Sequence, residues 1–230
     1  MSKLTFLGTA SAIPALNQQN THFIVQSGKR TILVDCVGNP VVRLQEAGID
    51  PLVITDLILT HFHPDHVSCA PLLLMDLWLL GRKNALNIFG LQDVIDRMVK
   101  MLELYDWKTW EGFFPVNFIR ILDRAQILID EGRLVVMSFP VCHMIPGIGI
   151  KMDLPDGRFC YSCDTAPCKA VVKMAHGTDI LIHEATGKGS GHSSPEEAGR
   201  IAQKAGVKQL SLIHYPPDAD EEEWLNQAKS

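Results

Sequence analysis

The segment His61-Phe62-His63-Pro64-Asp65-His66 places four potential metal ligands within six consecutive positions. It follows the apolar run Leu57-Ile58-Leu59, so it lies where a buried strand is expected to end. Strand periodicity places the first two histidines on one side, and the aspartate and the last histidine then fall in the following turn or helix start. Several imidazoles are costly to bury together unless they bind a metal. The segment therefore predicts ligands that approach two adjacent ions from different directions.

This pattern resembles the metallo-β-lactamase superfamily, and the similarity extends over essentially the whole chain. His143 stands where the next histidine of that family is expected, Asp164 in Ser162-Cys163-Asp164-Thr165 resembles its bridging aspartate, and His214 resembles its final ligand. The resemblance implies two divalent metal ions. Zinc is favoured because imidazole-rich sites with carboxylate support suit it, and manganese or iron are alternatives. The implied ligands are His61, His63 and His143 for the first ion, Asp65, His66 and His214 for the second, and Asp164 between them.

The same resemblance implies a fold and a chemistry. The fold would be an α/β four-layer αβ/βα sandwich with two mixed sheets face to face and helices outside. Two ions roughly 3.5–4 Å apart would lower the pKa of a shared water, so that a hydroxide is available near neutral pH. We expect a hydrolase in which Asp65 orients or deprotonates the attacking water.

A second motif, Leu181-Ile182-His183-Glu184-Ala185-Thr186 followed by Gly191-His192-Ser193, resembles the ribonuclease Z branch. This resemblance implies that His192 is the general acid that protonates the leaving oxygen, and that His183 and Glu184 orient it. The serines that follow also predict the start of a helix that runs to Ala205. Both roles can hold together.

One part of the ribonuclease Z pattern is absent. Those enzymes carry a long arm that clamps transfer RNA between the motifs matched here by His143 and Asp164. Only twenty residues separate these positions, and they predict two strands joined by the Asp153-Leu154-Pro155-Asp156-Gly157 turn. A small or cyclic phosphodiester is therefore favoured over a transfer RNA precursor as the substrate, and RNA stays open.

Two alternatives to phosphodiester hydrolysis are open. The same hydroxide could attack the acyl carbon of a lactone, thioester or β-lactam, although such chemistry does not need the His183 and His192 pair. A metal-binding or interaction protein without activity would require a defective site, whereas every expected ligand is present.

Composition limits the remaining possibilities. The net charge of −5 predicts no general attraction for polyanions. No run of about 18 uncharged apolar residues is present, and Ala70 to Leu80 predicts a buried helix rather than a membrane span. The amino terminus passes directly into a strand pattern without an export signal, which favours a cytoplasmic protein. A homodimer is expected from the family resemblance.

The chain pattern predicts one domain over residues 1–230, with strands alternating with helices. Predicted elements are strands at Leu4 to Leu7, His22 to Gln26 and Thr31 to Asp35, and a helix at Pro40 to Ala47. Asp56 to Asp65 aligns with Gln209 to Asp218 as a pseudo-repeat or a coincidence.

Two clusters have open interpretations. Six aromatic residues between Tyr105 and Phe118 predict core, a substrate entrance or a subunit contact. Six cysteines are expected to be reduced thiols, and Cys160-x2-Cys163-x4-Cys168 is a weaker candidate for structural zinc.

Overall fold

A computed structural model describes all residues from 1 to 230. The chain divides into two compact units. We call Lys3–Gly8 and Thr21–Ile121 the amino-terminal unit, and Met1–Ser2, Thr9–Asn20 and Leu122–Ser230 the carboxyl-terminal unit. Each unit contains one mixed sheet of six strands with helices, so the predicted α/β class with two mixed sheets is confirmed. The single domain over residues 1–230 stays a prediction.

The sheet of the amino-terminal unit follows chain order, because each strand lies beside its sequence neighbour. The first two pairings are antiparallel and the last three are parallel. Parallel neighbours require crossover connections, and helices supply all three. The strands are β1 (Lys3–Gly8), β2 (His22–Ser27), β3 (Arg30–Val34), β4 (Asp56–Ile58), β5 (Leu86–Leu91) and β6 (Val116–Ile121), and the helices are α1 (Pro40–Glu46), α2 (Pro64–Val67), α3 (Ala70–Leu79) and α4 (Gln92–Leu104).

The sheet of the carboxyl-terminal unit begins with antiparallel strands and ends with three parallel ones. Two helices make the parallel crossovers, and a third ends the chain. The strands are β7 (Gln126–Asp130), β8 (Val135–Pro140), β9 (Ile148–Leu154), β10 (Gly157–Tyr161), β11 (Ile180–Glu184) and β12 (Gln209–Ile213), and the helices are α5 (Lys169–Ala175), α6 (Pro195–Ala205) and α7 (Glu221–Lys229).

Local sequence signals explain where these elements begin and end. The side chain of Asn39 accepts a hydrogen bond from the Val42 amide at the start of α1, and Gly48 takes a left-handed φ of 71° just after it. Ser194 and Glu197 form a reciprocal capping box at the start of α6. The predicted starts of both helices are confirmed, because they depend on contacts between near neighbours.

Each unit has its own apolar core. In the amino-terminal unit, the central residues of β2 and β3 are fully buried. In the carboxyl-terminal unit, α5 and α6 pack against β10 and β11 through Val171, Met174, Leu181 and Ile201. This packing fixes the parallel strands whose carboxyl ends carry the chemically active residues.

Gly199 allows α6 and α7 to approach closely. A Cβ atom there would overlap the backbone carbonyl of Ala228, which cannot rotate away. Alanine has the higher helix propensity, yet we expect Gly199→Ala to lower the free energy of unfolding by about 1–3 kcal/mol. Urea denaturation measures this change. Gly189→Ala adds a methyl group in open space and is the control, so equal stability of the two variants would contradict the prediction.

Four further expectations have structural outcomes. Residues Asp153 to Gly157 form the predicted hairpin, with Leu154 paired to Gly157. Both segments of the pseudo-repeat carry a histidine just after a strand, although β4 is an inner strand of its sheet and β12 is an edge strand. Most residues of the aromatic cluster contact one another, as in the edge-to-face pair Trp107 and Phe113, whereas Tyr105 is exposed. None of the helices between residues 1 and 230 has the length and apolar character needed to span a bilayer.

Candidate metal centre

Most of the residues singled out by their chemistry lie at or just beyond the carboxyl ends of parallel strands, and His143 and His192 lie in loops elsewhere. The His61 to His66 segment follows β4, Asp164 follows β10, Glu184 ends β11, and His214 follows β12. Open α/β sheets form their binding crevices at such ends. Each unit therefore carries its own group of ligand-type side chains.

In the amino-terminal unit, four side chains converge. The Nε2 atom of His61 lies 3.0 Å from the Nδ1 atom of His63, as expected if both face the same side. The ring centroids of His61 and His66 are 4.1 Å apart. The Nε2 atom of His66 is 3.6 Å from a carboxylate oxygen of Asp65. His61 and His66 are fully buried.

Asp35 orients two of these histidines, a role that no pattern in the sequence predicted. Its fully buried carboxylate accepts hydrogen bonds from the Thr60 amide and hydroxyl and lies 2.7 Å from the Nδ1 atom of His66. The Thr60 hydroxyl also lies 3.2 Å from the Nδ1 atom of His61. Because the Thr60 hydroxyl donates to Asp35, it accepts from His61. In the rings of His61 and His66, Nε2 is then the unprotonated nitrogen, which is the atom that can bind a metal.

The pKa of Asp35 is raised by its burial, while His66 and Thr60 act to lower it. We expect Asp35→Asn to weaken metal affinity by about 10- to 100-fold, as is typical when a group that orients a metal-ligating histidine is lost. Competition with a fluorescent chelator measures the affinity. Asp123→Asn is the control because Asp123 is exposed. Unchanged affinity in Asp35→Asn would contradict the orienting role.

In the carboxyl-terminal unit, Asp164 offers one oxygen to each of two histidines. Its Oδ2 atom is 3.9 Å from the Nε2 atom of His143, and its Oδ1 atom is 3.5 Å from the Nε2 atom of His214. Only 2% of the Asp164 side chain is exposed. A carboxylate between two imidazole nitrogens is the donor arrangement expected of a ligand shared by two cations.

The Nδ1 atoms of His143 and His214 face oxygen acceptors. The Nδ1 atom of His143 donates to the Gly191 carbonyl at 2.7 Å, and that of His214 lies 2.8 Å from the Thr186 hydroxyl. The Thr186 hydroxyl donates to the His214 carbonyl, so it accepts from the ring. Both histidines therefore present an unprotonated Nε2 atom, and the donor set of this unit fits a divalent metal.

Gly191 allows this close approach. Its φ of 78° favours glycine, and a Cβ atom would lie 2.9 Å from the Nδ1 atom of His143. Strained backbone recurs at the strand ends, since Asp35, Cys163 and His214 all have φ between 53° and 60°. Such conformations in non-glycine residues concentrate at functional sites.

His192 lies beside His143 and His214. Its ring is 4.9 Å from that of His143 and is stacked 6.1 Å from that of His214. The Nδ1 atom of His192 is 3.0 Å from the buried Glu184 carboxylate, and 18% of the His192 side chain is exposed. Glu184 also accepts from backbone amides, which fixes its position; the donors are those of Thr165, Thr186 and Ser193. Glu184, His192 and His214 place their ligand-type atoms within 4.8 Å of one another.

His183 has a different environment from Glu184. Its Nδ1 atom donates to the Glu184 carbonyl at 2.7 Å, and the ring is fully buried with no hydrogen-bond partner at Nε2. Burial lowers the pKa of this imidazole from 6.5. The predicted support of His192 by this residue would therefore act through the Glu184 backbone.

The lowered pKa of His183 predicts a dependence of stability on pH. Below about pH 6.5, His183 is protonated in the unfolded chain but stays neutral in the folded chain. The free energy of unfolding therefore falls as the pH falls. Between about pH 7.5 and about pH 5.5, His183→Gln should lose less unfolding free energy than the wild type, by at most about 1.4 kcal/mol per pH unit. Urea titrations at both pH values test this, with the exposed His176→Gln as control. Parallel losses in His183→Gln and the wild type would contradict it.

Known proteins are similar to this chain over almost its whole length. The family model described as anti-Pycsar protein Apyc1 matches residues 2–229. A ribonuclease Z from Methanothermobacter thermautotrophicus is 28% identical over 272 aligned residues, covering 93% of this chain and 86% of that protein.

Two solved structures are similar over nearly the whole chain. The metallo-β-lactamase fold protein YhfI from Bacillus subtilis has a TM-score of 0.84 at 24% identity, covering 99% of this chain and 92% of that one. The short form of human tRNase Z, ELAC1, has a TM-score of 0.79 at 25% identity, covering 94% and 93%. The first likeness confirms the metallo-β-lactamase fold. The chain belongs to the Apyc1 family of anti-Pycsar proteins and is a ribonuclease Z-like, metal-dependent hydrolase of the metallo-β-lactamase superfamily.

Proposed function

We propose that this protein is a phosphodiesterase whose two ligand clusters serve one dinuclear metal centre. The observation that carries the proposal is the position of His192, which lies beside His143 and His214 and is held by Glu184. The proposed ligands are those implied by the sequence: His61, His63 and His143 for one ion, Asp65, His66 and His214 for the other, and Asp164 for both.

The metal identity is proposed to be zinc. The nitrogen donors support it, and manganese or iron could use the same ligands. When bound, two divalent ions would lower the pKa of a shared water and neutralise charge on the phosphoryl oxygens.

His192 would supply the proton for the departing oxygen. In the proposal its Nδ1–H donates to the Glu184 carboxylate, and its Nε2–H is the proton that the departing oxygen takes. Only part of the ring is exposed, so the proton is delivered from one direction. An alkoxide leaving group needs such a positioned acid.

Asp65 would act on the attacking side. It lies in the first turn of α2, next to His66, and 15% of its side chain is exposed. In the proposal its carboxylate orients the attacking water and accepts a proton from it. Asp65 would therefore be both a ligand and a candidate base.

The proposed substrate is a small or cyclic phosphodiester. A tight hairpin occupies the stretch between His143 and Asp164, where the arm of ribonuclease Z would be inserted, and the net charge of the chain is −5. Both features disfavour a large folded polyanion. We also propose a homodimer, since exposed Leu104 and Tyr105 at the end of α4 are apolar side chains that subunit contacts commonly cover.

A substrate panel tests the proposal. Protein reconstituted with zinc or manganese is incubated with bis-p-nitrophenyl phosphate, cyclic nucleotides, a transfer RNA precursor and lactones. Hydrolysis of the first two supports the proposal. Activity on lactones alone would establish acyl hydrolysis instead, and cleavage of the precursor alone would overturn the small-substrate preference. Sedimentation velocity of the same sample tests the dimer.

A further inference from the structure

The six cysteines do not form the cluster that their sequence spacing suggests. Cys160 is buried in the core between β10 and the helices α5 and α6, and Cys163 is fully buried in the loop after β10. Cys168 is partly exposed at the amino-terminal cap of α5. Cys168 packs at the edge of the core that contains Cys160 and stays partly accessible.

The neighbour of Cys168 in space is Cys142, an exposed residue in the loop between β8 and β9. Thr165 joins them, because its Oγ1 atom accepts from the Cys142 amide at 3.1 Å and lies 3.8 Å from the Cys168 sulfur. The Ala166 amide donates to the Cys142 carbonyl at 2.7 Å. Burial raises the pKa of the Cys142 thiol, and a side-chain hydrogen bond with the Cys168 thiol raises it further. Cys142 and Cys168 therefore both border the Thr165 hydroxyl, one through its amide and the other through its sulfur.

We infer that Cys142 and Cys168 form an oxidation-sensitive dithiol that hydrogen peroxide closes into a disulfide. One thiol attacks the peroxide, the O–O bond breaks, and a sulfenic acid and one water form. The other thiol attacks that sulfur, the S–S bond forms, and a second water leaves. Two sulfurs are oxidised and one peroxide is reduced, so the reaction balances. Neither cysteine lies within a helix or strand, and a disulfide requires their Cα atoms to come within about 7 Å of each other.

The disulfide would have a defined structural consequence. Cys142 precedes His143 directly, and Cys168 follows Asp164 by four residues. The bond would therefore tie the loop that carries the histidine to the loop that carries the aspartate. This modification site goes beyond the proposed hydrolysis and does not depend on it, because the thiols meet through Thr165 and not through a metal.

Peptide mapping provides the test. The full-length protein is treated with hydrogen peroxide, remaining thiols are alkylated, and the chain is digested with trypsin without reduction. Cys142 is the sole cysteine of peptide 134–151, whereas peptide 159–169 contains Cys160, Cys163 and Cys168. We expect these two peptides to be linked and to be separated by reductant. Their mass should be the summed mass less two hydrogen atoms, after allowance for alkylation of Cys160 and Cys163 and for methionine oxidation.

Serine variants assign the bond. The linked peptides should be lost in Cys142→Ser and Cys168→Ser and retained in Cys163→Ser, and Cys69→Ser controls for a partly exposed thiol outside the pair. Circular dichroism confirms that each variant is folded. Three results would overturn the inference. The first is a link that persists in Cys168→Ser. The others are wild-type protein in which both thiols remain open to alkylation, and wild-type protein in which Cys142 alone is oxidised, to a sulfinic acid.

Discussion

His192→Ala is expected to slow the hydrolysis of a cyclic nucleotide by about 10²- to 10⁴-fold, the range typical of a lost general acid. The leaving group of such a substrate is an alkoxide, which needs a proton as it departs. Hydrolysis of bis-p-nitrophenyl phosphate should fall much less, because p-nitrophenolate leaves without one. Steady-state kinetics on both substrates, with metal content measured on the same samples, gives the comparison.

Controls separate proton donation from other roles of His192. Its ring lies near His214 and Glu184 in a group that could itself hold a metal, so metal content must be unchanged in the variant. His176→Ala is the matched surface control, since His176 is exposed. An equal loss on both substrates would assign His192 to binding or to structure, and no loss on either would remove it from the mechanism.

Asp164→Ala is expected to cause a still larger loss, down to the background rate on every substrate, together with loss of bound metal. The reason is geometric, because one buried carboxylate faces the Nε2 atoms of both His143 and His214. Without it, the ion beside His143 and the ion beside His214 would both lose a negatively charged ligand. Elemental analysis by plasma mass spectrometry and an activity assay on the same sample measure both effects.

The matched control for this change is the exposed Asp123→Ala, which should keep wild-type metal and rate. Asp164→Asn retains the shape of the side chain, so a folded but metal-depleted protein would attribute the loss to charge. If Asp164→Ala instead kept its metal and more than about a tenth of its activity, a shared ligand role would be excluded, since metal ions supply several kcal/mol of transition-state stabilisation.

Local patterns in the sequence predicted much of the fold. Strands were expected at Leu4 to Leu7, His22 to Gln26 and Thr31 to Asp35, and β1, β2 and β3 agree within one residue at each end. The exception is informative, because Asp35 leaves the strand with a left-handed φ of 60°. That conformation turns its carboxylate toward Thr60 and His66, which are distant in sequence. Alternation of apolar residues carries no information about such a turn.

Local sequence patterns also predicted part of the chemistry of the site. The His61 to His66 segment concentrates its ligands locally, and the His61 and His63 nitrogens converge as the spacing predicted. The groups that set the histidine tautomers were missed, since they are a hydroxyl on Thr186 and a backbone carbonyl on Gly191. Neither residue type signals such a role by itself. Only the folded strand ends bring them to the rings.

Anomalous X-ray scattering from crystals of the zinc-reconstituted protein measures the central feature directly. Data collected at the zinc edge should contain two peaks per chain roughly 3.5–4 Å apart, with Asp164 touching both and His192 touching neither. A single peak, or two peaks with Asp164 bound to neither, would contradict a dinuclear centre built from these residues.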